Sequence, residues 1–371
     1  MSLSRRKMLA LVGGGVVLAA GSAGAGFALT RTPHRALAPW AAAGGYADPR
    51  LNALSFAILA PNPHNLQPWE ADLIGADRVR IFRNPALSLP QTDPHDRQLT
   101  IGMGCFLELL AIAASADGQA VAIVLFPEGD APAAPVAEVT FRAGDVSPDP
   151  LGAAILDRRS CKEPFTDQPV AARDVQALEP LAQIVTDPHH VAQLRALTWA
   201  AHLVEVTTPH TLGESVDVMR LGRREIEARP YGIDLGGPLL EGLMLAGLLT
   251  REGLRDMDSA GFRQSLEIYR TMLHATQAYA VITTQGNDRE DQIGAGRQYL
   301  RLNLATTLRG LALHPVSQAL QEYPEMAEHY AHAQGLLAGP GETVQMLARL
   351  GHGPKVAQSP RWPLEAKLRA G

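Results

Sequence analysis

The sequence predicts a mixed protein of long helices and short strands, built as two related halves behind a leader segment. Two observations in the body of the chain carry this. Strand-like runs at Val79–Phe82, Val121–Phe126, Val136–Arg142, Ala278–Thr284 and Thr343–Leu350 bracket long helical patterns. In addition, Asp96-Arg97-x-x-x-Ile101-Gly102-x-Gly104 returns 192 residues later as Asp288-Arg289-x-x-x-Ile293-Gly294-x-Gly296. In the same register Leu110 matches Leu302, Ala113 matches Ala305, and Gly118 matches Gly310. Eight of 23 aligned positions are identical, against about one or two expected from composition. Small residues at a helix start permit close helix–helix approach, so two such helices can form the centre of a pseudo-dimer.

Each element has a local cause. Asp48-Pro49 reads as N-cap and first helical residue of an apolar run through Leu59, ended by Pro61, Pro63 and Pro68. A helix is expected from about Gln98 to Ala116, and a linker at Ala143–Pro150. Helical periodicity dominates Leu151–Thr276, and a second long helix covers about Asp288–Arg309. The halves are therefore placed at 47–146 and 150–368, the second carrying a helical insertion at about 213–257.

Composition narrows the function. The 371 residues are 46% hydrophobic and 19% charged, enough to bury a sizeable core. With 33 basic against 38 acidic residues the net charge is −5, which argues against a nucleic-acid binder. Two cysteines, Cys105 and Cys161, exclude a disulfide scaffold and read as free buried thiols.

Residues 1–30 read as an address. Arg5-Arg6-Lys7 precede 22 uncharged residues, Met8 to Leu29, with a small-x-small pattern at Ala23-Gly24-Ala25. This is the pattern of a twin-arginine export signal, either cleaved or retained as an anchor. The expected location is the periplasm, free or membrane-anchored, with the export machinery as a partner. Export of an already folded chain suits a protein that carries a cofactor.

Two stretches stand out chemically. Arg158-x-Ser160-x-Lys162 puts two cations and a hydroxyl on one side of an extended segment, a suitable set for a phosphate monoester, or else a basic surface turn. Pro61-Asn62-Pro63-His64-Asn65-Leu66-Gln67-Pro68-Trp69 is a rigid polar loop that could hold a polyol or heterocycle edge, or serve as a structural turn. His329-x-x-His332 reads as a solvated helix face rather than a metal pair. No G-x-S-x-G elbow, dinucleotide loop or phosphate loop occurs in the sequence after the leader.

Taken in order, A-P-N-P-H-N-L-Q-P-W (60–69), R-R-S-C-K-E-P-F (158–165), A-T-T-L-R-G-L-A-L-H-P-V-S-Q (305–318), L-G-H-G-P (350–354) and S-P-R-W-P-L-E (359–365) resemble the nitroreductase superfamily, Acg-like branch. The resemblance spans roughly Asp48 to Leu368. It implies an α+β fold with mostly antiparallel central sheets flanked by helices, and FMN as cofactor. It assigns Arg158, Ser160, Lys162 and Arg361 to the phosphate and ribityl end. Pro61, Asn62, Pro63 and Asn65 would face the ring and ribityl chain, and backbone N–H groups near Ser317 and Gln318 would point at flavin N5. The usual loop has serines where this chain carries Asn62 and Pro63. The first half has no R-x-S-x-K of its own, so one FMN per chain is expected.

The function implied is an exported FMN-dependent oxidoreductase taking hydride from NAD(P)H or another donor. The alternative is a non-enzymatic FMN-binding or sequestering protein. No catalytic side chain and no metal ligand are assigned, because the flavin carries the chemistry. As its own dimer, the chain is expected to be a monomer. Leu239, Leu240, Leu243, Met244, Leu245, Leu248 and Leu249 are expected to bury, either as a lid over the flavin or on the core beside the site.

Overall fold

The computed structural model describes Phe27 and residues 30–369. Apart from Phe27 and Thr30, the leader lies outside the described residues. In chain order α1 (His34–Ala42) and α2 (Pro49–Ala57) lead into β1 (Trp69–Ile74) and β2 (Arg78–Arg83). Next come α3 (Arg97–Ala116), β3 (Gln119–Leu125) and β4 (Ala137–Ala143). A 3-10 turn at Pro150–Ala154 precedes α4 (Ala172–Leu178), β5 (Gln183–Val185), α5 (Pro188–Thr207) and α6 (Pro209–Asp217). The middle continues through β6 (Met219–Leu221), α7 (Gly222–Ala228), β7 (Ile233–Leu235), α8 (Pro238–Leu245), α9 (Arg251–Arg255) and α10 (Ala260–His274). The last elements are β8 (Ala278–Thr284), α11 (Arg289–Leu308), β9 (Ala312–Pro315), α12 (Ala327–Leu337) and β10 (Thr343–Gly351).

Two four-stranded antiparallel sheets, flanked by helices, make this an α+β protein. Their orders are β1-β2-β4-β3 and β5-β8-β10-β9. Each sheet therefore takes its strands in the order first, second, fourth, third, and in each a 20-residue helix joins the second strand to the third. Those two helices, α3 and α11, are the ones that carry the repeated motif.

Their packing explains the glycines. A Cβ on Gly104 would stand 2.2 Å from the Ile293 carbonyl oxygen, and one on Gly296 would stand 1.9 Å from that of Ile101. Backbone touches backbone here, a distance that only glycine permits on both helices. Beyond each helix, Gly118 and Gly310 take φ of 64° and 68°, the left-handed stop that ends it. Although α3 is long and apolar enough to cross a membrane, it is buried in the core instead.

The two helix starts are stabilised differently despite the shared Asp-Arg. Asp288 forms a reciprocal capping box with Asp291, at 2.9 and 3.2 Å. Asp96 makes no side-chain cap on α3; the carboxylate of Asp93 accepts from the Gln98 and Leu99 N–H groups instead.

One continuous core joins both sheets across this helix pair, from Trp69, Val79 and Ile81 through Phe106 and Leu300 to Ala280 and Leu350. The outer face of the second sheet packs a separate cluster, Tyr279, Val281 and Leu347, against Leu194 and Leu197 of α5. Burial on both faces gives β8 its continuous apolar run, whereas β3 alternates and leaves Val124 outside.

Some expectations need correction. The stretch 151–276 contains β5, β6 and β7 as well as helices, and β1 follows directly on the Pro-rich loop. Of the leucines expected to bury, Leu239, Leu245 and Leu248 are 59, 76 and 72% exposed, while Leu240, Leu243 and Leu249 are half-buried. The reason lies in how α8 docks. It turns buried Glu241 toward α7, where Oε1 accepts from the Arg223 N–H at 3.0 Å, and Leu239 and Leu245 are left outside.

Candidate functional site

The Pro-Asn loop is strained and tightly held. His64, Asn65 and Gln67 all adopt left-handed φ, between 46° and 55°. Asn tolerates this region, but His and Gln pay a conformational penalty of order 1–3 kcal/mol. Hydrogen bonds from several directions hold the loop in place. Asn62 Oδ1 accepts from the Gln67 N–H at 2.8 Å. Asn65 Oδ1 accepts from Arg361, and Asn65 Nδ2 donates to the Pro360 carbonyl at 3.1 Å. The fully buried Gln67 side chain accepts from the Trp362 N–H and donates to the Pro230 carbonyl, while Lys367 Nζ donates to its backbone oxygen. Below the loop lies α3, where a Cβ on Gly102 would press on Asn62 and Pro63 at 3.2 Å.

Beside this loop the structure gathers arginines. Arg158 follows the 3-10 turn at 150–154 and is buried. Its guanidinium donates to Asn303 Oδ1 on α11 at 3.0 Å and to the Leu59 carbonyl at 3.1 Å. Arg361 arrives from the far C-terminal segment, also buried, and donates to the same Leu59 carbonyl at 3.1 Å and to that of Ala60 at 3.2 Å. Arg159 stacks on Trp40, 4.5 Å from the ring centroid.

These hydrogen-bond partners are neutral, so no carboxylate pairs directly with the cations. Burial lowers Arg158 to about 10. Burial lowers Arg361 further, to about 9, with Arg158 and Arg159 pushing the same way and Asp234 opposing them. Three donors in this cluster, Arg159 Nε, Arg361 Nε and Asn303 Nδ2, are buried without a partner. A buried cation without a counter-charge is costly, and an anion with several acceptor oxygens relieves it.

The remaining candidate residues are distributed as follows. Ser160 is half-buried and Lys162 exposed, so the alternate residues of the motif grade from inside to outside. The charge of Lys162 nevertheless reaches inward. Burial, and after it Lys162, hold His64 down at about 4. Burial chiefly pushes the Glu205 carboxyl up, against Lys162 among others, and holds His314 well below its usual value, with Arg349 and Lys162 adding to the effect. The 3-10 turn after β9, Ser317–Leu320, begins with Ser317, whose Oγ is buried and unpartnered, and Gln318, whose Nε2 donates to the Tyr269 hydroxyl at 3.1 Å. The first N–H groups of such a turn find no acceptor inside it.

The segment before β7 covers the loop: the Gly232 N–H donates to the Asn65 carbonyl at 3.0 Å. Sequence reasoning missed that contact. It also missed Asn303 and Trp40 as partners of the arginines, although an Asn set between Leu302 and Leu304 was a usable signal. Both cysteines are free and buried, and burial pushes Cys105 up to about 12. Among the described residues, the groups close enough to share a metal ion are Asp187, His189 and His190, all exposed. Two surface clefts lie elsewhere, one lined by Arg83, Asp96 and Arg289, the other by Pro39, Tyr46 and Pro363. Neither includes any of the buried, unpartnered donors that mark the arginine cradle.

No family model matches the chain. Two Mycobacterium tuberculosis proteins are similar to it in sequence. The one named "Putative NAD(P)H nitroreductase Rv3131" is 24% identical over 318 residues, covering 81% of this chain and 84% of the relative. "Uncharacterized protein Rv3127" is 24% identical over 359 residues, covering 86% and 92%. Among solved structures, the FMN-dependent nitroreductase NfnB from Mycobacterium smegmatis in complex with NADPH aligns at a TM-score of 0.36. That alignment has 18% identity and covers 60% of this chain and 98% of that one. A likeness of that size adds no weight of its own.

Proposed function

We propose that the chain is an FMN-dependent oxidoreductase of the nitroreductase type, holding one FMN between two related halves. The observation that carries this reading is the buried arginine cradle beside a strained polar loop. Arg158, Arg159 and Arg361 converge there with unpartnered donors and neutral acceptors. Such a set suits the phosphate of FMN, with Ser160 and Lys162 at its outer edge. Asn62, Asn65 and the prolines around them would line the ribityl chain and ring. The turn opening at Ser317 and Gln318 would offer its N–H groups to the ring's N5 edge. Sequence similarity to a relative named as an NAD(P)H nitroreductase, over four-fifths of both chains, supports the same reading.

When bound, FMN supplies the hydride-accepting ring. The protein's own part is to fix the phosphate, shape the ribityl path, and exclude water with the segment at 230–232. The shared strand order of the two sheets supports halves at 47–146 and 150–368 and a self-contained monomer. The Arg5-Arg6 leader supports export by the twin-arginine route.

One observation favours a second reading, a flavin store. The hydrogen bonds from Gly232 to Asn65 and from Gln67 to Pro230 close the segment over the loop, where an incoming nicotinamide would need room. Anaerobic NADPH separates the two. The oxidoreductase reading expects the flavin absorption band to bleach on addition of NADPH. A band that resists NADPH but bleaches with dithionite would instead identify a store.

A further inference from the structure

The exposed leucines of α8 and the turn after it have no partner among the described residues, yet they lie beside the point where the leader joins the body. The Arg31 guanidinium pairs with Glu241 of α8 at 3.1 Å. Arg223 of α7 donates to the Thr30 carbonyl at 2.8 Å, and its own N–H donates to Glu241. The exit of the leader is thus fastened to α8. Only Thr30 separates Arg31 from Leu29, the end of the uncharged run that starts at Met8. Two residues span at most about 7 Å of chain.

If residues 8–29 enter a bilayer, the short connection and the Arg31–Glu241 pair keep α8 close to its surface. The exposure of Leu239, Leu245 and Leu248, at 59, 76 and 72%, then has a physical counterpart in lipid. Apolar side chains shallowly inserted beside an anchor remove surface from water at little entropic cost, because the anchor has already restricted the body. Exposed Arg224 on α7, and Arg35 on α1, 88% exposed in its side chain though paired with Glu227 at 3.5 Å, are cations of the kind that anionic headgroups attract.

We propose that α8 and the turn through Leu248 rest in the surface of the membrane that the leader enters, fixing the body's orientation on it. The proposal depends on the leader acting as an anchor and not on the flavin. The test uses the full chain with Leu245→Cys, labelled with an environment-sensitive fluorophore. Cys105 and Cys161 are buried, so the introduced thiol is the accessible one. Val124→Cys, exposed on β3, is the control, and Leu248→Cys gives an independent second position.

Flotation with mixed phosphatidylcholine and phosphatidylglycerol vesicles reads the anchor, and quenching by doxyl-labelled lipid reads the contact. The expected result is flotation, with quenching several-fold stronger at 245 and 248 than at 124. No flotation would overturn the anchor and the contact together. Flotation with labels at 245 and 248 as wet as that at 124 would overturn the contact alone. Labels shielded from both water and lipid quencher would also overturn it, by showing protein on this face.

Discussion

Gly296→Leu should lower the melting temperature of the protein sharply, while Gly294→Ala on the same helix should leave it unchanged or raise it. At 296 even a Cβ would sit 1.9 Å from the Ile101 carbonyl oxygen and 2.9 Å from the Gly104 Cα. No rotamer avoids a clash with backbone, so α3 and α11 must separate along a seam that the whole core shares. Overpacking costs about 1–3 kcal/mol in ordinary sites, and a backbone-to-backbone seam belongs at or above the upper end. At roughly 2 °C per kcal/mol for a chain of this size, the loss is about 5 °C or more. At 294 nothing lies within 4 Å, and alanine in a helix interior is favoured over glycine by about 0.5–1 kcal/mol. Equal melting temperatures for wild type and Gly296→Leu would contradict the packed seam.

Arg158→Ala should weaken FMN binding by about tenfold to a hundredfold, the size of a lost charge-assisted hydrogen bond at roughly 1.5–3 kcal/mol. The variant leaves the Leu59 carbonyl still bonded to Arg361, so the loop keeps one of its ties. Asn303 Oδ1 loses its donor, which adds a modest stability cost common to all ligands. Riboflavin, which lacks the phosphate, supplies the discriminating measurement. Its affinity should be nearly the same for wild type and variant. Arg158→Lys should fall between, keeping the charge but losing the planar fork. Unchanged FMN affinity in Arg158→Ala, or an equal loss for riboflavin, would make Arg158 a purely structural bridge between Leu59 and α11.

The helix pair was readable because its cause is local and repeated: an Ile-Gly-x-Gly start, matched Leu and Ala positions and a terminating glycine. Strands β2, β3, β4, β8 and β10 were readable for a similar reason, since each is long enough to show β-branched enrichment. Strands β5, β6 and β7, at three residues each, cannot display a period. Strand β1 does alternate, but Pro68 immediately before it drew it into the preceding loop.

At the site, residue types were legible and their meetings were not. Arg158 and Arg361 share a carbonyl at Leu59, 99 and 302 residues away along the chain. No window of sequence reports such a contact. The left-handed backbone at His64 and Gln67 is likewise imposed by distant partners, against local preference. On α8 the apolar pattern was plain, but which of its residues turn inward was not: buried Glu241 faces α7 while Leu239 and Leu245 stay exposed.

The full chain, purified without added cofactor and then saturated with FMN, should be denatured and its released flavin identified by chromatography and counted against protein. The arginine cradle and its single polar loop predict one equivalent of FMN per chain. Two equivalents, FAD, or a protein that stays colourless in excess FMN would contradict it.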